Sequence, residues 1–330
     1  MEKIMRSKFL WVTPSKEKDT FLVIHERNHI VIEVALDVID IIDQCITPRT
    51  LNSDDLEEQE LYRLLTEIHF LHNKAYAESE SHDILNNWLC RFEKETRSFQ
   101  YQNIRAIYAS REQEPVHEIL LEILKIGQEL DKELLAFQQP LYILFLTPEE
   151  YRSLQMEFNI PSDISAFVDS RSLLIMDYES YFQKNNTRSF YPTMRHELIH
   201  VLFGQHVYYL PFWLEEGICE YYSKKYRMDY LNYGLKEEIL ISFVEIHSEK
   251  VNYISQLSKF DKIQHVFYLQ AASFVDFFFQ SLTAERIWRI IEQSGIRRDF
   301  FDVLETECGI TLMELQTQWE SFIKQQSHDT

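Results

Sequence analysis

Residues 196–200 read His-Glu-Leu-Ile-His, an H-E-x-x-H sequence whose side chains can build a hydrolytic metal site. On a helix, His196 and His200 are four positions apart and face the same way. Two imidazoles so placed can bind one Zn²⁺ ion, each at about 2.0–2.1 Å. Glu197 is rotated by about 100° from His196. Its carboxylate can therefore take a proton from water beside the metal and later pass it to a leaving amine.

A second run of residues, LPFWLEEGICEYY at 210–222, offers the remaining groups of such a site. Three protein ligands and a water form a catalytic zinc site, and two histidines with one glutamate are a standard set. Glu216 would be the third ligand. Glu220 lies one helical turn further on the same face and could orient a histidine ring by accepting its second N–H.

Proline and glycine mark the helices that must hold these groups. Pro192 stands where a first helical residue is expected, and Gly204 where a C-terminal cap is expected. Pro211 marks the start of the second helix. Between Pro192 and Gly204, four apolar residues supply the packing that fixes the first helix: Leu198, Ile199, Val201 and Leu202.

Residues 25–29, His-Glu-Arg-Asn-His, form a second H-E-x-x-H sequence that serves as an internal control. Both of its middle residues are polar, and it lies among β-branched residues that favour a strand. A strand does not bring positions i and i+4 together as a helix does. No glutamate follows between residues 34 and 56. We interpret this second sequence as a chance match.

HELIH followed by PFWLEEGICEYY resembles the gluzincin zinc metallopeptidases, the thermolysin-like and aminopeptidase-N-like group. Within that group it is most similar to the small "peptidase MA-like" proteins. The resemblance implies one zinc ion on His196, His200 and Glu216, with Glu216 chosen over Glu215 because it precedes the glycine. It also implies a peptide or protein substrate. No G-x-M-E-N-type sequence precedes the zinc helix, so an endopeptidase is expected rather than an exopeptidase.

The resemblance covers roughly residues 115–325 and implies further roles. Residues 164–178 (ISAFVDSRSLLIMDY) stand where gluzincins carry the hairpin whose edge strand pairs with the substrate backbone. Tyr268 occupies the place of a tyrosine that could stabilise the oxyanion of a tetrahedral intermediate. It fits a core aromatic equally well. His265 and His206 are alternatives for the same role, or else surface or loop histidines.

Three neighbours of these motifs have simpler interpretations. Arg195 could contact a substrate carboxylate, but a solvated position beside the motif is the simpler expectation. Cys219 could sense oxidation near the metal, but a small buried cysteine is the simpler account. Glu215 is expected to be exposed.

The chain is acidic and poor in glycine. Its 33 basic and 53 acidic side chains give a net charge of −20, so nucleic-acid phosphates would repel it and we expect no nucleic-acid partner. Its 6 glycines, all at position 127 or later, cannot form the glycine patterns of dinucleotide-binding or P-loop sites. Rossmann-type enzymes and P-loop NTPases are therefore disfavoured.

Cysteine usage and hydropathy favour a cytoplasmic protein without a membrane span. The N-terminus lacks the apolar core and the small-residue cleavage site of a signal peptide. No stretch approaches the ~18 apolar residues of a membrane helix. The four cysteines are scattered and include no C-x-x-C pair. The sequence leaves the oligomeric state open.

Hydrophobic periodicity predicts an α+β, predominantly helical fold with a zincin-like catalytic domain, a small mixed sheet and an edge strand. The predicted domains are 1–114, mostly helical and of unknown role; 115–226, the zincin-like module; and 227–330, a helical subdomain. In the first 114 residues, the predicted elements are a strand followed by a strand or short helix over 20–44, and helices from an N-cap at Ser53 to about 98. Next come a helix over 115–137, a strand over 140–146, a helix over 147–158 capped by Thr147, and two strands around the turn 169–171. Helices are predicted from 192 onward, among them 234–248.

Two classes of function remain at this point. The first is a zinc metallopeptidase, acting on a specific peptide or protein, with the first ~110 residues as a conceivable recognition module. The second is a catalytically inactive zinc-peptidase scaffold that acts as an interaction or regulatory protein.

Overall fold

The structure is a computed structural model that forms two compact units, Met1–Val207 and Tyr208–Thr330. No helix in its described part is both long and apolar enough to cross a membrane. The described residues are 3–7, 10–15, 20–25, 30–45, 49–50, 55–92, 94–110, 114–158, 160, 162, 164–179, 187–206, 210–223, 242, 264–294 and 300–326.

The first unit opens with two small three-stranded antiparallel sheets. One has the order β5-β1-β6 and the other the order β2-β3-β4. Exposure alternates along β4, as expected of a strand with one face packed and one face solvated. The strands are β1 (Lys3–Arg6), β2 (Leu10–Pro14), β3 (Thr20–His25), β4 (Ile30–Ala35), β5 (Arg49–Thr50) and β6 (Leu71–Asn73).

Three helices accompany these strands: α1 (Leu36–Gln44), α2 (Leu56–Glu67) and α3 (Lys74–Leu89). The helix predicted from Ser53 begins at Leu56, where the Asp55 side chain accepts hydrogen bonds from the N–H groups of Glu57 and Glu58. Ser53 itself lies outside the described residues.

The expectation of helix as far as residue 98 is wrong in two places. His69 has a φ of 63°, a left-handed conformation that ends α2 and turns the chain into β6. After α3, β7 (Glu95–Tyr101) begins. In the described part of residues 1–114, strands and helices are therefore mixed, and the expectation of a mostly helical segment is wrong there.

A five-stranded mixed sheet with the order β10-β11-β9-β8-β7 forms the centre of the first unit. Its central pairs, β8–β9 and β9–β11, are parallel, and its terminal strands are antiparallel to their neighbours. The remaining strands are β8 (Ile104–Ser110), β9 (Leu141–Leu146), β10 (Ala166–Asp169) and β11 (Leu173–Asp177). Because β7 and β8 belong to this sheet, the predicted domain boundary at 114/115 falls between strands of one sheet.

The elements predicted between residues 115 and 178 are confirmed. Every residue of β9 is buried, as predicted from its continuous apolar run. Thr147 and Glu150 cap the following helix reciprocally, because the Glu150 carboxylate accepts from the Thr147 N–H at 2.8 Å and the Thr147 hydroxyl accepts from the Glu150 N–H at 3.3 Å. The helices are α4 (Glu114–Glu133), α5 (Pro148–Phe158) and α6 (Thr187–His206).

In the second unit, all the regular elements that the structure describes are helices, as predicted. Trp213 packs its ring against Phe274, Phe300 and Phe301, and Trp319 stacks on Phe274. The stretch 234–248 lies outside the described residues. The helices are α7 (Phe212–Ser223), α8 (Gln264–Ser281), α9 (Ala284–Gln293), α10 (Phe300–Cys308) and α11 (Leu312–Gln326).

Candidate metal centre

Helix α6 brings the two histidines of the HELIH sequence together. The Nε2 atoms of His196 and His200 lie 3.2 Å apart, and their ring centroids are 5.0 Å apart. Two nitrogens bound to one tetrahedral zinc ion at about 2.05 Å would be separated by about 3.3 Å. A hydrogen bond between two imidazoles has a similar length. The rings therefore converge on one point and need little movement to share a cation.

The helix around the histidine pair is largely buried. His196 is 8% exposed, while Glu197 and His200 are partly exposed. The residues predicted to fix the helix (Leu198, Ile199, Val201 and Leu202) are all buried. Glu197 is thus held beside the histidines on a rigid helix and keeps access to solvent.

The beginning and end of α6 differ from the prediction. The helix starts at Thr187 and ends at His206, so Pro192 and Gly204 both lie inside it. Gly204 is required for packing: a Cβ at this position would lie 1.7 Å from the carbonyl oxygen of Arg171. The glycine therefore lets α6 approach the turn between β10 and β11, and it is not a cap.

That turn lies at residues 169–171, where the sequence predicted it. Ser170 and Arg171 have φ values of 50° and 51°, in the left-handed region that tight turns use. Asp169, at the end of β10, accepts a hydrogen bond from the indole N–H of Trp88 at 2.7 Å. In the sheet as described, β10 is a terminal strand and pairs with β11 alone.

Arg195 contradicts the expectation of a solvated side chain. It is fully buried, at 0% exposure. Its guanidinium lies 3.3 Å from Glu129 and also binds Glu133, both on α4. It also contacts the hydroxyl group of Tyr191, 3.2 Å away. This ion pair ties the HELIH helix to α4, and Arg195 has a structural partner in place of a substrate carboxylate.

The ion pair of Arg195 with α4 was not predicted, although the sequence contains a signal for it. Glu129 and Glu133 are four positions apart on a helix that was predicted correctly, and such a pair can bind one guanidinium. Burial raises the pKa of Tyr191, and the Glu129 carboxylate that accepts its hydroxyl proton raises it further. Only the tertiary contact shows which arginine the two carboxylates bind.

In the second unit, α7 carries Glu216 and Glu220 one turn apart, as predicted. Glu216 is 5% exposed, and Glu220 is partly exposed. Glu215 is also buried, at 9% exposure, so the expectation that it is exposed is wrong. Cys219 is fully buried, which confirms the simpler account of that residue. Burying a carboxylate costs free energy unless it is paired or hydrogen-bonded. The burial of Glu215 and Glu216 therefore means that their side chains need such partners.

Gly217 has a packing role comparable to that of Gly204. A Cβ at this position would lie 2.6 Å from the carbonyl oxygen of Ala271 on α8. The glycine between Glu216 and Ile218 therefore allows α7 and α8 to pack closely. This contact fixes the helix that carries Glu216.

The three candidates for oxyanion stabilisation are placed differently. Tyr268 is partly exposed on α8 and packs edge-on against Phe267. The His265 side chain lies outside the described residues. His206 ends α6 with Nε2 2.9 Å from the carbonyl oxygen of Ala136, so it is engaged with the segment after α4. Among the described candidates, Tyr268 keeps an accessible face.

Comparisons of the chain with protein-family models, with curated proteins and with solved structures found no match. The resemblance to gluzincins stays a prediction from the sequence, and its most specific part is the pair of segments 196–200 and 210–222.

Proposed function

We propose that this chain is a zinc-dependent endopeptidase with a zincin-like catalytic module. The observation that supports it most directly is the 3.2 Å separation of the His196 and His200 Nε2 atoms on one helix. That separation fits two ligands of a single zinc ion. The buried carboxylate of Glu216, in the tryptophan-led helix that follows, supplies the third ligand on the grounds of sequence.

The donor set fits zinc. Two neutral imidazoles and one carboxylate are borderline ligands of the kind zinc accepts in hydrolytic sites, with one position left for water or substrate. Zinc, when bound, supplies Lewis acidity toward a peptide carbonyl and toward water. Glu220 acts as a positioning residue through the second N–H of a ligand histidine.

Glu197 carries the proton in this proposal. Its carboxylate takes a proton from the attacking water and delivers it to the nitrogen of the departing amine. Tyr268 donates its hydroxyl hydrogen to the oxygen that gains negative charge as the carbonyl carbon becomes tetrahedral.

The terminal strand β10 offers a binding mode for the substrate. A terminal strand has backbone N–H and C=O groups along its outer side, and an extended peptide can add to it by main-chain hydrogen bonds. A peptide or protein cleaved internally would suit such a surface. The four cysteines form no disulfide, in keeping with the proposed cytoplasmic location.

The test is zinc content together with peptide cleavage for Glu197→Gln. The variant keeps all three proposed ligands, so we expect about one zinc ion at this site. Cleavage should fall by about 10²–10⁴-fold, because the general base is gone. Glu118→Gln, at an exposed position on α4, is the matched control and should cleave like wild type.

Two results would overturn the proposal. Full cleavage by Glu197→Gln would remove Glu197 from the mechanism. A wild-type chain loaded with zinc that cleaves nothing in a broad peptide library, and no protein in lysate proteomics, would favour the inactive scaffold.

A further inference from the structure

Four polar side chains lie buried together in the first unit, away from the HELIH helix. Ser7 directly follows β1, His25 ends β3, His72 lies in β6 and Glu80 is on α3. Their exposures are 1%, 2%, 5% and 1%. Polar groups so fully withdrawn from water need a compensating interaction.

The contacts between them centre on Glu80. The Ser7 hydroxyl donates to Glu80 Oε1 at 2.7 Å, and His72 Nε2 lies 3.0 Å from the same oxygen. Ser7 Oγ is also 3.3 Å from His25 Nε2. One ligand atom from each of His25, His72 and Glu80 lies within 4.8 Å of the others. Two imidazoles and a carboxylate thus face one small region.

We propose that His25, His72 and Glu80 form a second metal site, which binds a divalent transition-metal cation and, among these, zinc. The donors are again two histidines and one glutamate, the ligand types that zinc takes in proteins. Ligand atoms on a tetrahedral zinc ion are about 3.3 Å apart, so small side-chain rotations close the set. A bound cation would also compensate the buried carboxylate.

The burial of all three ligands assigns this site a structural role. The donor types are the same as in the proposed catalytic site. However, a catalytic zinc needs a position that substrate can reach, and the burial of His25, His72 and Glu80 denies that access. The ligands come from the sheet of β1, β5 and β6, from the sheet of β2, β3 and β4, and from α3. A cation would link both small sheets to a helix. Ser7, through its hydrogen bond to Glu80, is a positioning residue.

His25 is the first residue of the sequence HERNH, which we interpreted as a chance match to a zinc motif. The strand expected there is confirmed, since His25 ends β3. The helical i, i+4 spacing therefore plays no part. The partners of His25 come instead from positions 72 and 80, which no short motif connects to it. Residues 26–29 lie outside the described part of the chain.

The experiment uses the full chain with the proposed catalytic ligands removed, as His196→Ala/His200→Ala. After equilibration with Zn²⁺ and gel filtration, we expect it to retain about one zinc ion per chain. We also expect visible absorption bands from Co²⁺ bound in its place, and a melting temperature that rises when zinc is added. Adding the isosteric change Glu80→Gln should weaken zinc binding by more than the roughly 10–100-fold that loss of an outer-shell partner costs, because a ligand is removed.

His82→Gln, an exposed histidine on the same helix α3, is the control in the same background and should bind zinc unchanged. The Co²⁺ spectrum is recorded on the His196→Ala/His200→Ala chain, whose cluster residues are unchanged. It therefore tests the proposal even if Glu80→Gln does not fold. A background variant that binds neither zinc nor Co²⁺ would overturn the proposal and reduce the cluster to a hydrogen-bond network. Zinc binding unchanged by Glu80→Gln would also overturn it. Neither outcome depends on the function of the HELIH helix.

Discussion

The carbonyl oxygen of Arg171 lies 1.7 Å from the point where a Cβ atom of residue 204 would stand. The helix that carries His196 and His200 therefore meets the β10–β11 turn only because position 204 is glycine. The contact joins the proposed metal ligands to the strand proposed to bind substrate. On one side of the contact is the backbone carbonyl of Arg171, and on the other is Gly204, which has no side chain to block it.

We expect Gly204→Ala to destabilise the first unit by about 1–3 kcal/mol, because the added methyl group collides with backbone that must shift. Zinc content and peptide cleavage should fall with it. Urea unfolding measures the change in the free energy of unfolding. Gly127→Ala is the control, since the group nearest its Cβ is the flexible end of Ile104 at 3.0 Å. Equal stability of the two alanine variants would contradict the role of Gly204.

Glu216 and Cys219 lie three positions apart on α7 and are both buried, so either could be a metal ligand by residue type. We expect Glu216→Ala to lose zinc from the proposed catalytic site, because a ligand is removed. Cys219→Ala should keep it. Elemental analysis of each variant beside the His196→Ala/His200→Ala chain, which should hold only the second proposed zinc, separates the two sites. If Cys219→Ala loses this zinc and Glu216→Ala retains it, then Cys219 and not Glu216 is the third ligand.

Tyr268→Phe removes one hydroxyl group and keeps the ring packed against Phe267. If that hydroxyl stabilises the developing oxyanion, kcat should fall by about 10²–10³-fold with little change in KM. The measurement is steady-state cleavage of a peptide that the wild type cleaves. Tyr222→Phe, a partly exposed tyrosine on α7, should keep wild-type kinetics. A Tyr268→Phe variant with normal kcat would leave Tyr268 as a packing residue.

Burial raises the pKa of Asp276 above its usual value of 3.8, although a hydrogen bond from Gln280 opposes the shift. The folded state thus binds this proton more tightly than the unfolded chain. The stability from the protonated form is complete below pH 3.8 and is lost as the pH rises through the folded pKa.

Asp276→Asn imitates the protonated form, so its melting temperature should exceed that of wild type by about 1–3 °C at pH 7. The difference should shrink toward pH 4. Thermal unfolding followed by circular dichroism across this range is the measurement. Asp302→Asn, at an exposed position on α10, should show a much smaller difference. A constant gap at every pH would exclude titration as its cause.

The helices from α4 onward and the β10–β11 hairpin could be predicted because their signals are local. The apolar spacing of residues 115–137 and the Thr147 cap each act within a few turns of one helix. The end of α2 at Glu67, two residues before the left-handed His69, could not be predicted, since a left-handed histidine leaves no mark in the hydrophobic pattern. The end of α6 was also predicted wrongly, because the helix continues past Gly204. The glycine is needed there to make room for the carbonyl oxygen of Arg171, and not to end its own helix.

The positions of charged groups likewise depend on tertiary contacts that local sequence signals do not show. Arg195 has an ion pair with Glu129 and Glu133 that joins residues more than 60 positions apart. From sequence alone, a charged residue beside a motif is most simply placed in solvent, because burying it costs free energy unless a partner is present. The same reason hid the buried cluster of His25, His72 and Glu80.

By itself, the sequence determined the one-turn spacing of His196 and His200, the position of Glu197 beside them and the helical periodicity around them. These follow from the geometry of a single helix. Only the tertiary structure decided that Gly204 must accommodate Arg171, that Arg195 is buried, and that His25, His72 and Glu80 meet. Such contacts join residues far apart in the chain, and packing between elements, not local spacing, creates them.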